Sequence, residues 1–578
     1  MSSDFTTRLV RDSRLNDISS QVEVAVSQGA NQASFISFSP SSASSSSLSF
    51  SIQPPSESVI VDRNLLLQCT VNFTITIGRN VPVGTNCFLY GQREAFQAFP
   101  LNSLFTTTSA TINNTTVSCN TSEILGVLLH LMDEEDFAKD GRSMSPYLID
   151  RYQRYSDAMN ASNNPLAGFK STGYNQHRVP RGAHPLNSVN IRRLIPGGGE
   201  DNNPISQSVD DTWVIEVSAT FCEPLFLSPF LFHSRYNEAG LLGVNNIALV
   251  MNLDAQCSRF WSTGLQKLGA GGNPIDYTVS LNQNEPLTGA KILVSILTSQ
   301  ATDLLPSRNS VPFCDYPRYI TSQINAEDFL VGTPKRITLN NLQLNQVPEK
   351  LIIVARKRRS EQKPRDCTSF FAINSVSLNF NASSGLLSSC SQYELWRMSV
   401  ANGSKQSWYE FSGSAQVYDA ASGNVKVNTC GSVLVLDPSR DLSLPAYLAP
   451  GSLGQFSLQL DMDITNISDE TLKPEVMIIT QNSGIFTCQA GSSKVETGIL
   501  NKQIVVDTST EDGANAISSN EYNRMRGGAL GDQIASALKH LPLVKRHLGG
   551  KSRSAGSYDG AARMGGMLPK NKLDALTM

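Results

Sequence analysis

The sequence predicts an all-β protein built from two tandem eight-stranded jelly rolls, each with a short helix, a mobile N-terminal arm and a basic C-terminal tail. Only 17% of the 578 residues are charged and 40% are apolar, with abundant Ser, Thr, Asn, Gly and Pro. Short apolar runs bounded by Pro, Gly or Asn are typical of strands joined by turns. A strand, turn and helix pattern also occurs twice, which favours two copies of one β unit.

The repeated stretches are INNTTVSCNTSEIL at 112–125 and FNASSGLLSSCSQYEL at 380–395. In each, a small polar residue stands three positions before a glutamate: Asn120 before Glu123, and Ser391 before Glu394. This spacing predicts a helix start at which the cap and the glutamate satisfy each other's backbone N–H groups. The two starts are 271 residues apart, too far for a solenoid repeat, so they indicate a duplicated domain.

The chain divides into four predicted segments. Residues 1–47 end in SPSSASSSS and predict a Ser-rich, mobile arm. Residues 48–325 predict the first jelly roll with large loop insertions, ending near YITSQI at Tyr319. Residues 326–507 predict the second jelly roll, which includes the apolar run KLIIVARK, and 508–578 predict a Gly-rich basic tail with an amphipathic helix.

Matching segments later in the two units support the duplication. Residues 243–247 should correspond to 451–456, and residues 291–300 to 475–481. The offset falls stepwise along the chain, as insertions confined to the first copy would produce. We place those insertions after the first helix and around FWSTGLQKLGAGGNP at 260–274.

Charge and cysteine usage exclude several classes of protein. The net charge of −3 argues against a chain that binds polyanions along its whole length. Ten single cysteines lack zinc-ligand spacing, so we predict buried free thiols, no metal site and no cofactor. MSSDFTTRLVRDSRLND carries charges where a signal peptide would be apolar, and no run is long enough to span a membrane. We therefore expect assembly in the cytoplasm or nucleus of the producing cell and no secretion.

No catalytic constellation is present in the sequence. The six histidines match no known motif, and His130 on the first helix is interpreted as a structural residue. The triglycine at 197–199 lacks the ending of a phosphate-binding loop and predicts a loop tip. We predict that the protein is not an enzyme.

Two basic segments are candidate contact sites. Arg356, Lys357, Arg358 and Arg359 follow a predicted strand, and a contact with a neighbouring assembly unit, a nuclear-import signal and a solvated loop are all compatible with that run. From Glu521 onwards the tail carries ten Lys and Arg against four acids, a local charge of +6. Nucleic-acid contact, membrane contact and docking under a neighbouring subunit remain open for the tail. Its candidate contact residues are Arg524, Arg526, Lys539, Lys545, Arg546, Lys551 and Arg553.

Several motifs together resemble the double jelly-roll major capsid proteins of Polinton-like viruses, adintoviruses and virophages. They are FPLN at 99–102 leading into INNTTV, YELWRMS at 393–399, LVLDPSRDLSLP at 434–445, LAPGSLGQFSLQLDM at 448–462 and IITQNSGIF at 478–486. The resemblance covers about residues 50–506. It implies pseudo-hexagonal homotrimers that tile an icosahedral shell, with the loops at 133–211 and 260–286 facing outward or lying at subunit contacts.

The resemblance also implies the partners of such a protein. These are neighbouring capsomers, minor capsid or penton proteins, the host surface through outer loops, and the packaged genome through an inward-facing tail. The expected localisation is the virion. A tandem jelly-roll carbohydrate-binding module or adhesin is the alternative, because jelly rolls also bind sugars.

Overall fold

The computed structural model describes residues 7–9, 25–27 and 31–498. Within the last span it leaves out residues 79–87, 89, 91–93, 134–144, 155–188, 196–198, 202–211, 231–239, 255–259, 266–273, 300–307, 323–327, 382, 420–422, 443–449 and 490.

The first half of the chain contains seventeen described strands and two α-helices. The strands are β1 (Thr7–Leu9), β2 (Ala25–Ser27), β3 (Asn31–Phe38), β4 (Ser42–Ala43), β5 (Ser47–Ile52), β6 (Val59–Val61), β7 (Leu66–Ile77), β8 (Glu94–Phe96), β9 (Phe105–Ile112), β10 (Thr115–Cys119), β11 (Val189–Ile195), β12 (Gly199–Asp201), β13 (Trp213–Pro224), β14 (Ile247–Leu253), β15 (Trp261–Thr263), β16 (Tyr277–Leu281) and β17 (Leu287–Ser299). The helices are α1 (Pro100–Leu104) and α2 (Thr121–Leu128), and a 3₁₀ turn at Leu129–Leu131 continues α2.

The second half contains thirteen described strands and three α-helices. The strands are β18 (Arg308–Asp315), β19 (Arg318–Ser322), β20 (Pro334–Thr338), β21 (Leu342–Gln346), β22 (Lys350–Lys357), β23 (Ala372–Phe380), β24 (Ser383–Leu386), β25 (Ser414–Asp419), β26 (Gly423–Asn428), β27 (Leu434–Leu436), β28 (Leu453–Thr465), β29 (Pro474–Gln489) and β30 (Ser492–Thr497). The helices are α3 (Gln392–Ala401), α4 (Trp408–Phe411) and α5 (Pro438–Asp441), with a 3₁₀ turn at Arg359–Glu361.

The two halves repeat one topology. In the first, the main strand orders are β10-β9-β14-β5 and β13-β7-β17-β3. In the second, the corresponding orders are β24-β23-β28-β20 and β27-β22-β29-β18. Apart from the hairpins β9-β10 and β23-β24, successive strands of these orders alternate between the two sheets, as in a jelly roll. The prediction of an all-β protein with two tandem jelly rolls is therefore confirmed.

The duplicated corner is also the same structure in both halves. Asn113 and Asn381, at the hairpin after β9 and after β23, both have the left-handed backbone conformation, with φ of 52° and 50°. Asn tolerates this conformation better than most residues do. The side-chain oxygen of Asn113 accepts a hydrogen bond from Asn245 N at 2.8 Å, and that of Asn381 accepts one from Ser457 N at 2.8 Å. Asn113 thus ties its hairpin to the segment that leads into β14, and Asn381 ties its hairpin to the equivalent strand β28.

Two hydrophobic cores hold the jelly rolls, and three strands, β22, β27 and β29, contribute to both. Alternate residues of β7 are buried, because one face of that strand meets the first core. In β22, Leu351 and Ile353 pack in the second core, whereas Ile352 and Val354 pack in the first. The uninterrupted apolar run of this strand therefore reflects burial of both of its faces. The sheet of the second jelly roll that contains β22 lies directly against the first jelly roll.

Strand pairing corrects two of the predicted boundaries. Residues 31–47 are not a free arm, because β3 pairs with β17 and its Ile36 and Phe38 pack against the first core. The strand at Tyr319 does not close the first jelly roll, because Arg318–Ser322 pairs with β29 of the second. The first sheet therefore begins earlier than residue 48, and the second begins before residue 326. The predicted boundary at 507 lies outside the described residues.

Candidate assembly surfaces

Arg356, at the end of β22, lies between the two jelly rolls and is 1% exposed. Its guanidinium contacts Glu475 Oε1 at 2.7 Å within the second jelly roll. It also pairs with Glu123 of α2 in the first jelly roll and donates to the Glu123 backbone carbonyl at 3.2 Å. This buried arginine therefore links the two domains through charge-assisted hydrogen bonds to a carboxylate of each.

Arg359 extends this ion cluster. Its Nη1 lies 2.8 Å from Glu123 Oε1, and its Nη2 pairs with Asp254, the residue that follows β14. Asp254 is 6% exposed. Two cations of the second jelly roll therefore meet two carboxylates of the first. We name Glu123, Asp254, Arg356, Arg359 and Glu475 the junction cluster.

The junction cluster explains why one predicted capping box is wrong. Asn120 caps α2 only by position, since its side chain accepts no capping hydrogen bond from that helix. Glu123 is instead directed to Arg356 and Arg359. In the second copy the predicted box is present, with Ser391 accepting from Glu394 N and the Glu394 side chain accepting from Ser391 N. Tertiary charge pairing outweighs the local cap at Glu123.

The basic run as a whole is not a solvated loop. Lys357 Nζ lies 3.1 Å from Asp366 Oδ2 and 3.0 Å from Glu470 Oε1. Burial alone would lower the pKa of Lys357, but these two carboxylates raise it above its ordinary value. Arg358 is half-buried and leads into the 3₁₀ turn. Nuclear import and capsomer contact by this run stay predictions.

The other predicted contact residues, Arg524, Arg526, Lys539, Lys545, Arg546, Lys551 and Arg553, lie outside the described residues.

An aromatic cluster on α3 and α4 was not predicted. Tyr393 is 52% exposed and Trp408 is 37% exposed. The Tyr393 ring centroid lies 5.3 Å from that of Trp396 and 5.4 Å from that of Trp408, and the two tryptophans are 5.8 Å apart. A second capping box, Ser407 with Glu410, starts α4. The S-x-x-E spacing at 407–410 was the sequence signal for that helix.

Several titratable groups are buried inside the fold. His130 is 2% exposed, and burial lowers its pKa to about 4. Its interpretation as a structural residue stays a prediction. Cys69 and Cys119 are free thiols whose pKa is raised to about 12 by burial. Among the described residues, no group of His, Cys, Asp and Glu is arranged to hold a metal ion. Within the same part of the chain, no helix is long and apolar enough to cross a membrane.

Two family models match the chain in succession. The model described as "Sputnik virophage major capsid protein 1st domain" matches residues 3–297. The model described as "Major capsid protein V20 C-terminal domain" matches residues 316–484. The putative capsid protein V20 of Sputnik virophage is 26% identical over 528 residues, which cover 90% of this chain and 84% of that relative.

Two solved structures share the fold. The cryo-EM structure of the Sputnik virophage matches with a TM-score of 0.70 and 24% identity, covering 86% of this chain and 93% of that one. The crystal structure of the mavirus major capsid protein matches with a TM-score of 0.58 and 14% identity, covering 82% of this chain and 92% of that one. Both jelly rolls are thus spanned in a single alignment.

Proposed function

Because the chain belongs to the Sputnik virophage major capsid protein family, we propose that three copies form a pseudo-hexagonal capsomer that tiles an icosahedral shell. The chain is a double jelly-roll major capsid protein, and it is a structural protein rather than an enzyme. The comparisons give no support to the carbohydrate-binding alternative.

One observation carries the trimer proposal: each chain holds two jelly rolls of the same strand order. A threefold axis then generates six similar units, and closed symmetry is the usual way for identical chains to satisfy their interfaces. The junction cluster and the apolar packing of β22 hold the two units of one chain together. Two jelly rolls held together in this way suit a capsomer with a defined pseudo-hexagonal outline.

The partners beyond the capsomer are part of the same proposal. Neighbouring capsomers and minor capsid or penton proteins would contact its sides, and outer loops would meet the host surface. We place assembly in the host cytoplasm or nucleus, with the virion as the final location.

For the basic tail we propose contact with the packaged genome through Arg524, Arg526, Lys539, Lys545, Arg546, Lys551 and Arg553. The local charge of +6 supports this choice, because phosphate contacts release counterions. Capsomers of the full chain should bind DNA fragments less tightly as salt rises, and the variant with all seven residues changed to Gln should bind far less. Equal binding by both proteins would refute the role of these residues. Leakage of dye from anionic vesicles, lost in the same variant, would favour membrane contact instead.

The capsomer itself is tested by mass. Light scattering of the purified chain should give three times 62.8 kDa, and negative-stain images should show hexagonal outlines or closed shells. A monomer that never assembles across salt and pH would refute the trimer.

A further inference from the structure

We propose that the aromatic face of α3 and α4 binds the first jelly roll of a second copy of this chain, repeating between subunits the interface that α2 makes within one. This inference rests on the proposed trimer and names the surface that builds it. Three observations support it: the internal duplication of the jelly roll, the exposed side chains on α3 and α4, and the opposite charges of Glu394 and Lys291.

Helix α2 shows which face of such a helix binds a jelly roll. Glu123 pairs with Arg356 and Arg359 of the second jelly roll. A Cβ added at Gly126 would lie 2.5 Å from Thr368 Cγ2, so that position is in direct contact with the second jelly roll as well. Ser122 and Leu129, on the same face, are 5% and 4% exposed.

The same face of α3 is uncovered. At the offset of 271 residues, positions 122, 123, 126 and 129 correspond to Tyr393, Glu394, Arg397 and Val400. All four are exposed, with Tyr393 at 52% and Val400 at 37%. An exposed group of apolar and aromatic side chains on a soluble chain marks a protein interface, and Trp and Tyr are frequent anchors there.

The duplication also identifies the receiving surface. Within one chain, α2 meets the outer face of the sheet formed by β22 and β29. The equivalent sheet in the first jelly roll contains β7 and β17. Its outer face carries partly exposed Leu66 and Leu293, which are directly opposite each other. Phe35, opposite Ser295 on the same face, is 84% exposed.

Strand register locates a charge partner for Glu394. Arg356 stands opposite Glu475 in the second jelly roll. Lys291, which is 184 residues before Glu475, stands opposite Gln68 in the first. Both pairs point outward from their sheets, because the residues that follow them, Ile292 and Val476, are buried in the cores. If a neighbouring copy packed against this sheet as α2 packs against the second jelly roll, its Glu394, the equivalent of Glu123, would therefore lie close to Lys291.

Both members of this pair are available. No described carboxylate forms an ion pair with Lys291. Glu394 uses Oε2 for both of its bonds to Ser391, at 2.7 Å to N and 2.8 Å to Oγ. A cation from another subunit can approach Oε1 without disturbing the helix cap. The proposed contact is an ion pair between Glu394 and Lys291 of the neighbouring copy, with Tyr393 and Trp408 packed beside it.

A charge swap in the full chain tests the pair. Glu394→Lys and Lys291→Glu, each alone, should raise the dissociation constant of the trimer about tenfold or more, because each places two like charges together. The double variant should restore trimers towards the wild-type value. Arg336→Glu is the matched control, since Arg336 is exposed and lies on the opposite sheet of the second jelly roll.

The readout is the mass by light scattering across a dilution series, with circular dichroism to verify folding. Single variants that trimerise like the wild type would overturn the proposed surface, as would a double variant no better than the singles. If one single variant misfolds, Trp408→Ala provides the second test, and an unchanged dissociation constant there would also count against the surface. A wild-type chain that stays monomeric would instead refute the proposed capsomer.

Discussion

Replacing Arg356 with methionine should lower the free energy of unfolding by about 3–5 kcal/mol, because the loss of one partner leaves buried carboxylates without their cation. The side chain of Arg356 is 2% exposed and that of Glu475 is 9% exposed. Glu123 keeps Arg359 as a partner at 2.8 Å, so its share of the cost is smaller. We therefore expect a value near the lower end, about 3 kcal/mol.

The assay is urea unfolding followed by circular dichroism and Trp fluorescence, with the midpoint and slope compared between variants. Arg336→Met is the matched control, because the Arg336–Asp461 pair at 3.1 Å has an arginine that is 67% exposed. That exposed pair should contribute at most about 1 kcal/mol. If both substitutions cost the same, or if Arg356→Met costs less than about 1 kcal/mol, the junction cluster does not stabilise the fold as argued.

Three further substitutions test the packing and titration of the fold. Gly431→Ala should lower the free energy of unfolding in urea by about 1–3 kcal/mol, because φ is 87° and the added Cβ would lie 2.1 Å from Phe370 O. Gly332→Ala is the control that isolates the effect of the clash, because Gly332 has a φ of 71° but open space around it. Leu395→Ala, at a fully buried position, should cost about 2–5 kcal/mol, whereas Leu453→Ala, 72% exposed, should change unfolding by less than about 0.5 kcal/mol. Burial lowers the pKa of His130 from 6.5 to about 4, so its neutral form stabilises the fold above pH 6.5 and that stability is lost as the pH falls towards 4. Between pH 7 and pH 5 the wild type should lose about 2 kcal/mol more than His130→Gln, and parallel pH profiles of the two proteins would contradict this.

Local signals in the sequence predicted those parts of the fold that short-range chemistry determines. Asn113 and Asn381 mark the two hairpins, since both residue type and position suit a left-handed turn. Ser391 and Glu394 predicted the start of α3 because both partners of that cap lie within one turn. The apolar run KLIIVARK predicted part of the second jelly roll, and it forms β22.

Features that depend on distant partners were missed for a physical reason. Strand Arg318–Ser322 has the composition of any half-buried strand, and only its pairing with Pro474–Gln489 assigns it to the second jelly roll. The serine-rich composition of residues 1–47 predicts a free arm, yet Ile36 and Phe38 alternate with polar residues and pack against the first core. The exposed aromatic face of α3 was not predicted, because the exposure of a helix side chain depends on whether another part of the fold packs against it.

The two capped corners show how tertiary contact redirects a local motif. Glu123 and Glu394 occupy the same position of equivalent helices, and both could reach back to a cap. Glu123 gives up that bond for Arg356 and Arg359, because a buried guanidinium left without its carboxylate costs more than a missing cap. Glu394 keeps the bond through one oxygen. The different hydrogen bonding of Glu123 and Glu394 therefore shows the effect of a jelly roll that packs against the helix. A cation bound at Oε1 would let Glu394 cap α3 and form an ion pair at the same time.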